Sequence, residues 1–262
     1  MTSPRAVIFR RHLARLRSNR SVIIGLVFGV LIMALLIGGS FIAATQSHDP
    51  DRSLVFQYML WKNGELFSFL VVVFAIVLGS SLANDDIKSG TIFGVLARPV
   101  SRGDYFVGSL AGAAVFVVVL QLLRIVSSLV LSIVFDGKLT LALFLGFVVV
   151  ILGDLLYLSM FAAIGAVTSN AVAVFLGLLA VLITGLAFVP DFPAWVTYPL
   201  RAIAIFLPIM NESADAAYKA IVGESRLIAP VLEAIAYRSC WIAVLCILGV
   251  WGFSRREIAP RT

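Results

Sequence analysis

No charged residue interrupts positions 21–45. A helix needs about 20 apolar residues to cross a hydrocarbon core of about 30 Å, and this run exceeds that length. In lipid every backbone N–H and C=O must be satisfied inside the protein, so only helices and closed barrels span a bilayer. Barrel strands would alternate apolar and polar residues in pieces of about ten. Here the apolar runs are continuous, which excludes a barrel. Further long runs follow, and with 61% hydrophobic residues, 13% charged ones and a mean hydropathy of +1.06 a soluble core is ruled out. The fold class is therefore all-α, a polytopic membrane protein. Because the first run is longer than the 7–15 apolar residues of a signal peptide, it is expected to remain in the mature protein.

Hydropathy places six transmembrane helices at about 21–45, 66–84, 105–135, 139–168, 171–189 and 236–253. An even number puts both termini on one side. The N-terminal segment, the 84–104 loop and the C-terminal end together hold twelve Lys and Arg, against seven on the opposite side, where Arg238 is one of them. By the positive-inside rule both termini and the 84–104 loop are cytoplasmic. The formal charge of +6 belongs to these span flanks rather than to a separate basic domain, so no nucleic-acid partner is expected. Residues 1–20 read as a cytoplasmic amphipathic helix with Phe9, Leu13 and Leu16 on one face and most arginines on the others. Ser169–Asn170 reads as a tight cytoplasmic turn, and the prolines of 190–235 divide that segment into short extracytoplasmic helices. The whole chain, 1–262, is one transmembrane domain.

One compact polar block stands out: NDDIKSGTIFGVLARPVSRGDY, residues 84–105. Ile92, Val95 and Leu96 recur at helical spacing after Gly90, and Pro99 pushes Arg98 out of helical geometry. A short cytoplasmic helix with an apolar face suits a groove on another protein; a helix resting on lipid headgroups is the rival reading.

Little in the chain carries chemistry of its own. It has no G-x-x-x-x-G-K-[ST] loop to cradle ATP and no G-x-S-x-G elbow. His12 and His48 stand far apart and read as surface residues, and no Cys/His set has metal spacing. Cys240 and Cys246 lie too far apart along one apolar segment to bond to each other. Two charges do fall in mid-span, Arg124 and Asp154. Counted from the Asp136–Lys138 turn, their depths differ by about four residues, or about 6 Å. Intramembrane charges are costly and usually pair, so these two are expected to share one polar network, as a clamp between spans or as the lining of a substrate path. Gly25-x-x-x-Gly29 and Gly108-x-x-x-Gly112 offer close helix approach.

The run SGTIFGVLARPVSRGDYFVGSLAG resembles the segment between the second and third spans of ABC-2 type permeases, the membrane subunits of ATP-binding cassette exporters. FRRHLARLRSNR and WGFSRREI are similar to that family's N-terminal connecting helix and C-terminal ending, and the likeness is nearest to the branch serving nitrous oxide reductase maturation. One departure is IFGV, which sets Gly94 inside the usual leucine-rich run. The resemblance implies a coupling helix that seats on an ATPase, carried by Asp85, Asp86, Gly90, Thr91, Leu96, Arg98, Pro99, Ser101 and Arg102. It further implies a homodimer in a bacterial or archaeal cytoplasmic membrane, served by two ABC ATPase subunits that bind ATP and Mg, with no cofactor in this chain. On the residues alone an ATP-independent channel or secondary transporter, and a membrane scaffold or assembly factor, stay open; the substrate is not legible.

Overall fold

The computed structural model describes residues 4–18, scattered helical positions between 27 and 42, and residues 70–82, 84–97, 100–134, 141–187, 193–204 and 228–256. All regular structure among them is helical. Four helical stretches are long and apolar enough to cross a membrane: Leu70–Lys88, helical over 70–81 and 84–88 on either side of a turn at Leu82, Arg102–Val126 within the longer Arg102–Val134, Phe144–Val167 within Leu141–Val167, and Ala229–Arg255. A shorter apolar helix occupies Asn170–Ala187. The first expected span, 21–45, lies largely outside the described residues, and Gly25 with it.

Local chemistry explains the boundaries. Ser101 caps the long helix: its Oγ accepts from the Asp104 N–H at 3.0 Å and donates to Asp104 Oδ2 at 2.7 Å, a reciprocal cap that satisfies an orphan N–H. Helix 141–167 closes where the Thr168 hydroxyl donates to the Ile164 carbonyl at 2.7 Å, and the next helix starts at Asn170, so the Ser169–Asn170 turn is indeed tight. The last helix begins at Ala229, with Pro230 in its first turn where the missing N–H does no harm. It therefore starts upstream of the expected 236 and takes in residues that sequence gave to the preceding loop. Ala194–Ala204 is a single helix that runs through Pro199, with Trp195 and Tyr198 exposed; it packs on Asn170–Ala187.

The core is built where small residues let backbones approach. A Cβ on Gly79 would lie 2.8 Å from the Leu158 carbonyl, and one on Gly165 would lie 2.9 Å from the Ser80 carbonyl. Helix 70–81 is thereby seated directly on helix 141–167. Phe106 fills the notch left by Gly249, and Phe161 that left by Gly177. Helices 141–167 and 229–255 make the most extensive pairing, and helix 102–134 packs on both.

The N-terminal helix, Pro4–Ser18, lies against helix 102–134. The side it turns to that helix is marked by Ile8. Ile8 is 4% exposed, while Leu13 is 37% exposed. His12, read from sequence as a surface residue, is half-buried, with its ring 2.9 Å from where a Gly112 Cβ would sit. The face is set by Ile8 and His12, one turn apart, because Gly112 opens a groove that the imidazole fits. His48 lies outside the described residues.

Candidate functional site

Two polar clusters occupy the bundle formed by helices 102–134, 141–167 and 229–255, one inside it and one at an end. The first lies within the spans. Gln121, Arg124, Asp154 and Arg238 are each no more than 4% exposed. The Gln121 amide donates to Asp154 Oδ2, and the guanidinium groups of Arg124 and Arg238 both lie within electrostatic reach of that carboxylate. Arg238 also donates to the Val149 carbonyl, reaching it through the notch left by Gly153, where any Cβ would collide with its Nη1. Gly153 and Asp154 thus supply a notch and a charge side by side. Tyr157, one turn below Asp154, faces Arg238 electrostatically. Gln121 Oε1 has no hydrogen-bond partner among the described residues.

Sequence reasoning singled out Arg124 and Asp154 and missed the other two. Gln121 carries no charge to betray it inside an apolar run. Arg238 was counted as an outer-side cation; this is corrected, since it is buried within helix 229–255. Without it the opposite side holds six Lys and Arg instead of seven, and the asymmetry against twelve grows.

The second cluster gathers at residues 84–105 and the two helix C-termini. After helix 70–81 the chain turns at Leu82 and forms two short helices, Asn84–Lys88 and Thr91–Leu96. Gly90 joins them with φ 71°, the left-handed region that glycine enters without a Cβ penalty. The Thr91 and Ser89 hydroxyls meet at 2.7 Å. Ile92 is 0% exposed and belongs to the main core, so this position of the apolar face looks inward rather than toward a partner groove. Asn84 is buried, and its Nδ2 donates to the carbonyls of Ser80 and Gly165, both at 3.1 Å. Asp86, also buried, accepts from the Tyr105 hydroxyl, and Tyr105 stacks on Phe253 with ring centroids 5.7 Å apart. Asp85 accepts from Asn170 Nδ2 at 3.2 Å.

Two arginines reach helix ends. Arg102 Nη1 donates to the carbonyls of Arg256 at 2.7 Å and Ser254 at 3.1 Å. Arg256 Nη1 donates to those of Gly165 at 3.1 Å and Ala166 at 3.4 Å. Partial burial lowers the Arg256 pKa from its ordinary value; an arginine keeps its charge regardless. These carbonyls are ones that helices leave without intrahelical donors, at the negative end of the helix dipole.

Of the nine residues of the expected coupling set, the structure therefore turns Asp86 and Arg102 onto this chain's own groups, half-buries Asp85, and uses Ser101 as a helix cap. Among the described residues of the segment, Lys88, Ser89, Gly94, Ala97 and Ser101 are exposed. The Leu96 side chain, Arg98 and Pro99 lie outside the described residues. No group of three or more His, Cys, Asp or Glu that could hold a metal occurs among the described residues.

A family model described as ABC-2 family transporter protein matches residues 10–258. The chain belongs to that family. No curated protein matches it at a significant level.

Proposed function

We propose that this ABC-2 family membrane protein is the permease subunit of an exporter, working as a homodimer whose transport cycle is driven by two separate ATPase subunits. What carries the reading is the family match, which extends over residues 10–258 and so takes in the polar segment 84–105 as well as the spans. The chain has no phosphate loop of its own, so ATP and Mg would be held by the partner. In this reading six helices cross a bacterial or archaeal cytoplasmic membrane with both termini inside, the first crossing falling at 21–45. The nitrous oxide reductase maturation branch is the one the chain resembles in span number and loop order.

A two-state membrane dimer responds to a partner only if the partner makes different contacts in the two states. Segment 84–105 is suited to sense such a difference, because it is exposed on one side through Lys88, Ser89 and Ala97 and rooted in the core on the other through Ile92. Gentle purification of the tagged chain from its own membranes tests the reading. A phosphate-loop ATPase is expected at one copy per chain, lost in a Gly90→Pro, Leu96→Asp variant. An intact wild-type chain that comes alone, under conditions that preserve other ABC complexes, would overturn it.

A further inference from the structure

We propose that Arg102 is a positioning residue that acts inside this chain, strapping segment 84–101 to the ends of three helices so that all four move as one body, rather than a contact for the ATPase. The proposal rests on the permease reading above only for what drives the motion; the strap itself is a property of the chain.

The hydrogen bonds at the end of the bundle close into a ring. Asn84 and Arg256 donate to the same Gly165 carbonyl, each at 3.1 Å. Arg102 donates to the Arg256 carbonyl at 2.7 Å. One turn along its helix Tyr105 donates to Asp86, two residues from Asn84, where the circuit began. Every link joins a different pair of elements: segment to helix 141–167, helix 141–167 to the end of helix 229–255, that end to helix 102–134, and helix 102–134 back to the segment. Opening any one link leaves a chain of contacts that can bend; with all closed, a push on the segment reaches three helices together. Two of the acceptors, Gly165 and Arg256, stand at helix C-termini, where carbonyls lack intrahelical donors and cations are favoured. Arg102 holds two carbonyls at the end of the last helix, those of Ser254 and Arg256, so its loss opens the ring at that corner.

The geometry offers a covalent substitute for the strap. A Cβ on Gly103 would lie 3.1 Å from Val250 Cγ1, within reach of a disulfide between cysteines at the two positions.

The test uses hydrogen exchange on the full chain, first alone and then with its ATPase. In the isolated chain Arg102→Ala is expected to speed exchange about tenfold at residues 84–90 and at 163–168, although neither stretch touches Arg102, because one charge-assisted link holds them through the ring. Arg102→Lys, which keeps a cationic donor, should recover most of that protection, and so should Arg102→Ala carrying Gly103→Cys and Val250→Cys when oxidised but not when reduced, with Cys240 and Cys246 replaced by alanine. In the complex, Arg102→Ala should retain the ATPase at wild-type stoichiometry while ATP no longer alters exchange in helices 141–167 and 229–255. Loss of the ATPase from Arg102→Ala would make Arg102 a partner contact and overturn the proposal. So would a change confined to residues 254–256 in the isolated chain. If wild type carries no ATPase, the permease reading fails, and the isolated-chain measurements still decide the strap.

Discussion

The two polar clusters solve the same problem, how to place charge in an apolar bundle, with different partners. Within the spans, Arg124 and Arg238 gather around the Asp154 carboxylate, with Arg238 also donating to the Val149 carbonyl. At the end of the bundle, Arg102 and Arg256 bind carbonyls that two helices leave open. A buried charge pair depends on both members being present, because removal of one leaves the other stranded. A cation on a helix end depends on the helix more than on any one side chain, and loses about as much as a charge-assisted hydrogen bond is worth. Sensitivity to substitution should therefore fall steeply from the first cluster to the second.

The largest effect is expected for Asp154→Leu, a loss of about 3–5 kcal/mol in reversible unfolding in bicelles, since two guanidinium groups lose their shared counter-charge. Adding Arg124→Met should recover part of that loss and only part, because Arg238 remains. A double variant no more stable than the single one would show that Arg124 and Asp154 do not share a network. At the other end, Tyr105→Phe removes one donor from the buried Asp86 carboxylate and should cost about 1–3 kcal/mol in the same assay. If it proved as damaging as Asp154→Leu, the contrast between the two regions would collapse. Gly90→Ala should cost least, about 1 kcal/mol. A Cβ there meets nothing within 4 Å, so the penalty is the left-handed backbone alone. A much larger loss would mean that the link between the two short helices is packed more tightly than this.

Much of the bundle was legible because a membrane span announces itself by length. The ends of helices 102–134 and 141–167 fall within a few residues of the expected 105–135 and 139–168, since charge and turn residues stop an apolar run sharply. The last helix was drawn from 236 with Arg238 counted on the opposite side, whereas the helix begins at Ala229 and Gly153 on a neighbouring helix makes room for Arg238 inside. That accommodation depends on a pairing of two helices distant in sequence, which no local pattern encodes. Gln121 was invisible as a lone neutral residue in an apolar run. The N-terminal helix was legible as amphipathic, but its contact with the bundle through Ile8 and His12 was not, because no local pattern shows that Gly112 makes room for the imidazole. Segment 84–104 was legible as one unit through its polarity in an apolar chain, but sequence could not say that Asp86 and Arg102 bind within the chain, since both acceptor and donor types there suit a partner equally well.

Helix 102–134 has 33 residues, about 50 Å of unbroken rod with no proline to kink it. A hydrocarbon core of about 30 Å is shorter than that rod, so the rod must tilt across the bilayer or extend past it, and the N-terminal helix lies against it at Gly112. A rod without a hinge cannot absorb a tilt along its length, so a rotation imposed at one end is delivered whole at the other.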